Sequence, residues 1–341
     1  MKILIIKLGA MGDVLRTTPL LTGLKRRYPE CRITWLVDSK SFEVLEGNPL
    51  IETLWVCSKD TLRRLGEENF DLAVNLDKEE EALEAILRVG ADKKIGFGRL
   101  ADGRLCALDP PSDYACRLGI DDELKFRKNK KTYQEICFEQ AGLHFGKQEY
   151  LLNLDEPSVR HAKKILKRLD VDIDFHDKTI IGLNTGSGAR FAGKKLSIQT
   201  HVELAKRFHR DMDATVLLLG GQGEIERNKE IQSLCKFPVV NTGSHPVKLF
   251  AAIVRECDLV VSGDTIAMHI AIAMKVPVVA FFASTCAAEI ELYGRGKKIV
   301  SSISCAPCYK KICPIDEQCM KDMSVDEIFE ASKAVLEGAA V

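Results

Sequence analysis

The chain has no excess of either charge: 49 Lys and Arg stand against 49 Asp and Glu among its 341 residues. A global basic field of the kind that nucleic-acid binders use is therefore excluded, and no nucleic acid is expected as a partner. No run of about 18 uninterrupted apolar residues occurs, which is what a membrane-spanning helix needs. The most apolar stretch, 270–283, is broken by Lys275 and Pro277. The first ten residues look like a secretion signal only superficially, because Lys7 and the glycines cut the apolar core short. A cytoplasmic enzyme is the expectation. Also missing is the G-x-G-x-x-G fingerprint: the first strand-to-helix turn reads Gly9-x-x-Gly12-Asp13. Asp38 is the one candidate for the acid that fingerprint places about twenty residues further on. Both points weigh against a nicotinamide-dependent oxidoreductase, which is kept as an alternative function.

What the chain does have begins at once. A hydrophobic strand, Ile3 to Ile6, runs into Gly9-Ala10-Met11-Gly12, and Asp13 stands where a helix should begin. Such loops form the ligand edge of an open α/β sheet. Helix N-termini favour anions, so a carboxylate there competes with phosphate. Asp13 reads either as a helix cap or as a group with chemistry of its own. Arg16 and Thr17, one turn on, are candidates for holding an anionic acceptor.

Short apolar runs alternate with amphipathic stretches along the whole chain, which implies parallel sheets covered on both faces. Strands are expected at 3–7, 33–37, 52–56 and 72–76, with helices at 13–27, 60–68 and 79–89. A polar, basic, irregular stretch follows over 96–131, then a helix over 132–143. Helix 156–169 and the polar segment 170–177 read as a bridge. Strands are expected again at 179–184, 215–219, 238–240, 258–262 and 277–282. The division is an N-terminal Rossmann-like domain at 1–170, a second at 171–323, and a C-terminal helix at 324–341 that can pack on either half. Two such domains face each other across a cleft.

Three loops of the second half point at a ligand. Thr185-Gly186-Ser187-Gly188, after a strand and followed by Arg190, Lys194 and Lys195, suits a diphosphate. Glu224, after Gly220-Gly221, accepts from ribose hydroxyls or supplies first-turn charge to a helix. Asp264 and Thr265 cap a helix or meet a ligand, and His269 lies one turn beyond them in an apolar run.

The opening segment Lys7 to Asp13 with Pro19, Gly186-Ser187-Gly188 with Lys194, Gly220-Gly221 with Glu224, Asn241-Thr242-Gly243, and Asp264-Thr265 with His269 together resemble glycosyltransferase family 9 over nearly the whole chain. These are the heptosyltransferases of lipopolysaccharide assembly. The resemblance implies a GT-B architecture and an inverting, metal-independent transfer of heptose from ADP-heptose to a lipid-linked core sugar, at the cytoplasmic face of the inner membrane. It assigns Asp13 as general base and Lys194 to the charge on departing ADP. It places Thr185, Gly186, Ser187, Gly188, Glu224, Asp264, Thr265 and His269 at the donor. Ile266 and Leu196 depart from the family pattern, which has Gly and an aromatic there. A non-catalytic binding module of the same fold is a second alternative.

Cys305, Cys308, Cys313 and Cys319 fall within fifteen positions. Four thiolates so spaced can surround one tetrahedral ion. A structural zinc or iron is expected, with a [4Fe–4S] cluster, disulfides or free thiols as alternatives.

Overall fold

The computed structural model describes residues 1–175, 177–188 and 193–338. The chain forms two compact units, 1–153 together with 288–291, and 154–287 together with 292–341.

The first unit is built from β1 (Lys2–Ile6), α1 (Met11–Leu15), α2 (Pro19–Arg27), β2 (Arg32–Val37), β3 (Thr53–Val56), α3 (Lys59–Leu65), β4 (Asn69–Asn75), α4 (Glu80–Arg88), β5 (Gly90–Arg99), β6 (Leu105–Ala107), α5 (Asp113–Leu118) and α6 (Tyr133–Gln140). The sheet order is β3-β2-β1-β4-β5-β6, parallel except for β6. Residues Ile3 to Ile6 are wholly buried, as a central strand covered on both faces requires. The long helix expected over 13–27 is two helices. Pro19 takes the first position of α2, where its missing N–H costs nothing, and the chain turns at Arg16–Thr18 to reach it. The stretch expected to be irregular from residue 96 holds the end of β5, β6 and α5. Thr132 starts α6 with a reciprocal capping box to Glu135.

The second unit comprises α7 (Glu156–Arg168), β7 (Ile180–Asn184), α8 (Ile198–Met212), β8 (Thr215–Leu219), α9 (Ile225–Leu234), β9 (Val240–Asn241), α10 (Val247–Val254), β10 (Leu259–Gly263), α11 (Ile266–Ala273), β11 (Val278–Phe282), β12 (Gly296–Val300), α12 (Gln318–Lys321) and α13 (Val325–Leu336). Its sheet is parallel in the order β12-β11-β10-β7-β8-β9. Helix α7, expected in the first domain, belongs here, because it packs on α10. The C-terminal helix α13 also packs here: Phe329 meets Phe208 of α8 at a centroid distance of 5.6 Å, and Ile328, Phe329 and Ala331 enter the core.

In each sheet the strand order reverses once, between β1 and β4 and between β7 and β10. The crevice beyond the carboxyl ends of such a strand pair is where open α/β sheets bind ligands. No helix among the described residues is long and apolar enough to cross a membrane.

Candidate active site

In the first unit the two strands at the reversal are tied together just past their ends. Lys7, following β1, is buried; its Nζ donates to the Leu76 carbonyl (3.0 Å) and lies 3.6 Å from Asp77 Oδ2. The Leu8 N–H donates to the same Asp77 carboxylate (3.0 Å). Burial works against the Lys7 charge, but Tyr133, Asp77 and Asp13 outweigh it and hold the ammonium above its ordinary range. The loop that follows is thus anchored through a buried ion pair.

Asp13 is the third residue of α1. Ala10 occupies the cap position and makes no side-chain bond there, so Asp13 is not the cap. Its Oδ1 meets Arg16 Nη2 at 2.7 Å. The Arg16 Nη1 lies 3.4 Å from Glu289 Oε2, and the guanidinium stacks on the Tyr133 ring, 3.8 Å from its centroid. Burial opposes the Arg16 charge, and Asp13 and Glu289 more than restore it. The Asp13 side chain stays 30% exposed, while those of Arg16 and Glu289 are 14% and 11% exposed. The carboxylate is therefore the reachable member of the cluster. Of the two residues expected to meet an acceptor, Arg16 is committed to two acids. Thr17 is buried, with its hydroxyl donating to the Asp13 carbonyl (2.7 Å) and 3.2 Å from the Tyr133 hydroxyl.

In the second unit the loops after β7, β8 and β10 converge. Asn184, the last residue of β7, donates through Nδ2 to the Gly186 carbonyl (2.8 Å), Ser262 Oγ (3.1 Å) and Thr265 Oγ1 (3.3 Å), which joins the two switch-point loops. Thr185 is buried, its N–H and hydroxyl directed to the Leu219 carbonyl and its hydroxyl also to Asn228. Gly186 is buried, Ser187 half-buried and Gly188 exposed. The Glu224 side chain lies against Gly186: a Cβ there would come within 2.3 Å of Glu224 Cδ, so only glycine allows this approach. The Glu224 carboxylate accepts from the Gly221 N–H (3.0 Å).

Thr265 caps α11, accepting from the Ala267 N–H (3.2 Å). Asp264 does not share that role; it lies 3.4 Å from Lys194 Nζ and 3.7 Å from His269 Nε2. Gly263 makes the meeting with Lys194 possible, since a Cβ there would sit 2.4 Å from the Lys194 carbonyl. Arg190 lies outside the described residues. Beyond Gly221 a groove of about 830 Å³ opens, walled by Ile165 of α7 and Leu169 just after it, Ile225, Val240 and the Thr242-Gly243 turn. The side chains of Gln232 and Thr242 along it donate to backbone carbonyls (2.8 and 2.9 Å), and Arg168, Lys229 and His245 add polar groups to its mostly apolar lining. That volume and lining suit a small heteroaromatic ligand.

A model of glycosyltransferase family 9 (heptosyltransferase) matches residues 60–318. The chain belongs to that family. Among its relatives, the lipopolysaccharide core heptosyltransferase OpsX of Haemophilus influenzae is 24% identical over 295 residues, 82% of this chain and 78% of the relative. A family 9 glycosyl transferase from Veillonella parvula superposes with a TM-score of 0.77 at 19% identity, over 99% of this chain and 97% of that one. The ADP-heptose lps heptosyltransferase II of Escherichia coli superposes at 0.70 and 18% identity, over 99% of each chain. The fold is GT-B, and the chain is a glycosyltransferase.

Several residues of this glycosyltransferase escape sequence reading. Arg227 of α9 donates through Nε to the Thr185 carbonyl (3.1 Å) and through Nη2 to the Leu196 carbonyl, bracing the chain at both points. His201 sits behind the same loop, buried, against the Ser197 carbonyl (2.7 Å); burial pushes its imidazole down to about 4. Nothing local distinguishes these residues. Lys7 carried a signal, a cation at the end of a wholly apolar strand. The four cysteines are all free thiols. Burial and the other three thiols raise the Cys319 pKa, yet among the described residues no three ligating side chains are placed to hold a metal ion. The expected zinc or iron therefore has no coordination shell in this arrangement.

Proposed function

We propose that this glycosyltransferase moves a heptose from ADP-heptose to a lipid-linked sugar of the lipopolysaccharide core, with inversion at the anomeric carbon. The observation that carries the reading is the Asp13 carboxylate, fixed by Arg16 yet only half-buried, at the strand-order reversal of the first unit. Asp13 takes the proton of the acceptor hydroxyl as that oxygen bonds to the anomeric carbon. The bond from that carbon to the diphosphate breaks on the opposite face, and ADP departs with the electron pair.

The second unit holds the donor. Backbone and hydroxyls of Gly186, Ser187 and Gly188 meet the diphosphate, and Lys194 offsets the charge that develops on it. Glu224 accepts from the ribose, the apolar groove takes the adenine, and Asp264, Thr265 and His269 face the heptose and phosphates. Thr185, its backbone bonded to Leu219 and Arg227, sets the start of the loop that meets the diphosphate. Names of related heptosyltransferases support donor and acceptor alike. A lipid-linked acceptor brings a cytoplasmic enzyme to the inner face of the membrane. Nothing in this chemistry calls for a metal. A zinc or iron bound by the four cysteines would be structural, which metal analysis of the purified protein tests.

The deciding experiment is Asp13→Asn. Transfer should fall by roughly 10²–10⁴-fold in kcat, with ADP affinity unchanged by calorimetry. Transfer at the original rate would refute the base, and tight NADH binding without ADP binding would refute the transferase.

A further inference from the structure

Arg16 serves two carboxylates. Its Nη2 meets Asp13 and its Nη1 faces Glu289, so the two ends of the guanidinium fork go to different acids. Given wholly to one carboxylate, the fork makes the bidentate pair that is among the strongest in proteins. A carboxylate so held is a poor proton acceptor. An adjacent arginine lowers the proton affinity of an aspartate by roughly 1–3 pH units.

The division of the fork is built in. The Tyr133 ring lies against the guanidinium, and the backbone of Arg16 is held from both sides. Its N–H donates to the Gly12 carbonyl (2.9 Å), and its carbonyl accepts from Gln134 Nε2 (2.8 Å). Glu289 arrives on 288–291, a strip that packs with the first unit although the chain on both sides of it belongs to the second. Glu291, two residues on, pairs with Lys147 and pins the same strip. Among the described residues, charged and titratable groups around the Asp13–Arg16 pair include Lys7 at the end of β1, Asp77 after β4, Tyr133 and Cys137 from α6, Tyr150 and Glu289. Glu289 is the one that takes an end of Arg16 from Asp13.

We propose that Glu289 is a positioning residue of the transfer: it draws one arm of Arg16 away from Asp13, so that Asp13 is held in place yet still accepts the acceptor's proton. The inference rests on Asp13 being the base. Glu289 itself touches no reacting atom, and it gains and loses no proton in the step.

The test is the pH dependence of kcat/KM for ADP release from ADP-heptose, with deacylated lipopolysaccharide core saccharide as acceptor. In Glu289→Gln the amide oxygen can still accept from Nη1, but the negative charge that competes with Asp13 for the guanidinium is gone. The acid limb should move down by about one pH unit, and the plateau kcat should fall about tenfold because the base is weaker. KM for ADP-heptose should stay within about twofold, since the donor lies on the other unit. Glu289→Asp keeps the charge but draws it back, so an intermediate limb is expected, and this variant serves if the glutamine form does not fold. An unmoved limb in both Glu289 variants, with activity lost only in step with folded protein, overturns the proposal. Asp13→Asn separates the two readings: full activity there sinks the base itself, whereas an inactive Asp13→Asn beside an unmoved Glu289→Gln limb sinks the role of Glu289 alone.

Discussion

Two loops of this molecule occupy the same topological position and are built in opposite ways. Each leaves a parallel sheet where the strand order reverses. In the first unit the loop is fixed by formal charges: Lys7 with Asp77, and Arg16 with Asp13 and Glu289. In the second, Arg227 and the Lys194–Asp264 pair take part, but most ties are neutral: Asn184 bridging to Gly186, Ser262 and Thr265, Thr185 bonded to Asn228, and a glycine that lets Glu224 close in. The difference follows the chemistry. A carboxylate that must stay put without a bound anion needs cations built around it. Under the proposed function the second loop receives a charged diphosphate, and dipoles with a few cations suit it because the ligand brings the charge.

That contrast can be broken in four ways, from the largest expected effect down. Lys7→Met leaves Asp77 buried without its ammonium, which typically costs about 3–5 kcal/mol. Chemical denaturation should show the loss in the first unit, with ADP affinity of any folded fraction unchanged. In the second unit the counterpart is pH. His201 is buried with its pKa lowered from 6.5 to about 4. The unfolded chain takes up a proton below pH 6.5 that the folded chain refuses until about pH 4. Stability is therefore complete above pH 6.5 and declines as pH falls towards 4, by about 3 kcal/mol in all. Thermal melts across that range should follow this slope, and His201→Gln should flatten it. Gly186→Ala places a methyl where Glu224 now lies. Glu224 can swing aside at little structural cost, so melting should barely change while ADP binding weakens about tenfold, or about 1.4 kcal/mol. Thr265→Ala removes the α11 cap and should cost about 1 kcal/mol, read from the melt. Equal sensitivity of ADP binding to Lys7→Met and Gly186→Ala would erase the contrast.

Much of this was open to reading in the chain. The buried strands β1, β7, β8 and β10 are apolar runs long enough to stand out, and the loops after them carried Asp13, Gly186, Glu224 and Asp264. Strands β5 and β12 were hidden because they read Gly-Ala-Asp-Lys-Lys and Gly-Lys-Lys, polar runs whose strand character comes from their neighbours, β4 and β11. Helix α7 showed its periodicity, but its loyalty to α10 is a packing choice between distant segments. The same holds at the site. Asp13 was visible beside its glycines, whereas Glu289 stands far along the chain and Tyr133 heads an ordinary capped helix. Both matter only because folding brings them to Arg16.

The strip at 288–291 has a consequence for anyone who would cut this enzyme in two. The acceptor half is not one uninterrupted stretch of gene: a fragment ending at residue 153 lacks the piece that carries Glu289 and Glu291. Chimeras that exchange second halves between relatives would also exchange that strip, and with it the partner of Arg16. A hybrid meant to change only the second unit would then alter the residue that shares Arg16 with Asp13 as well, unless those four positions were grafted back.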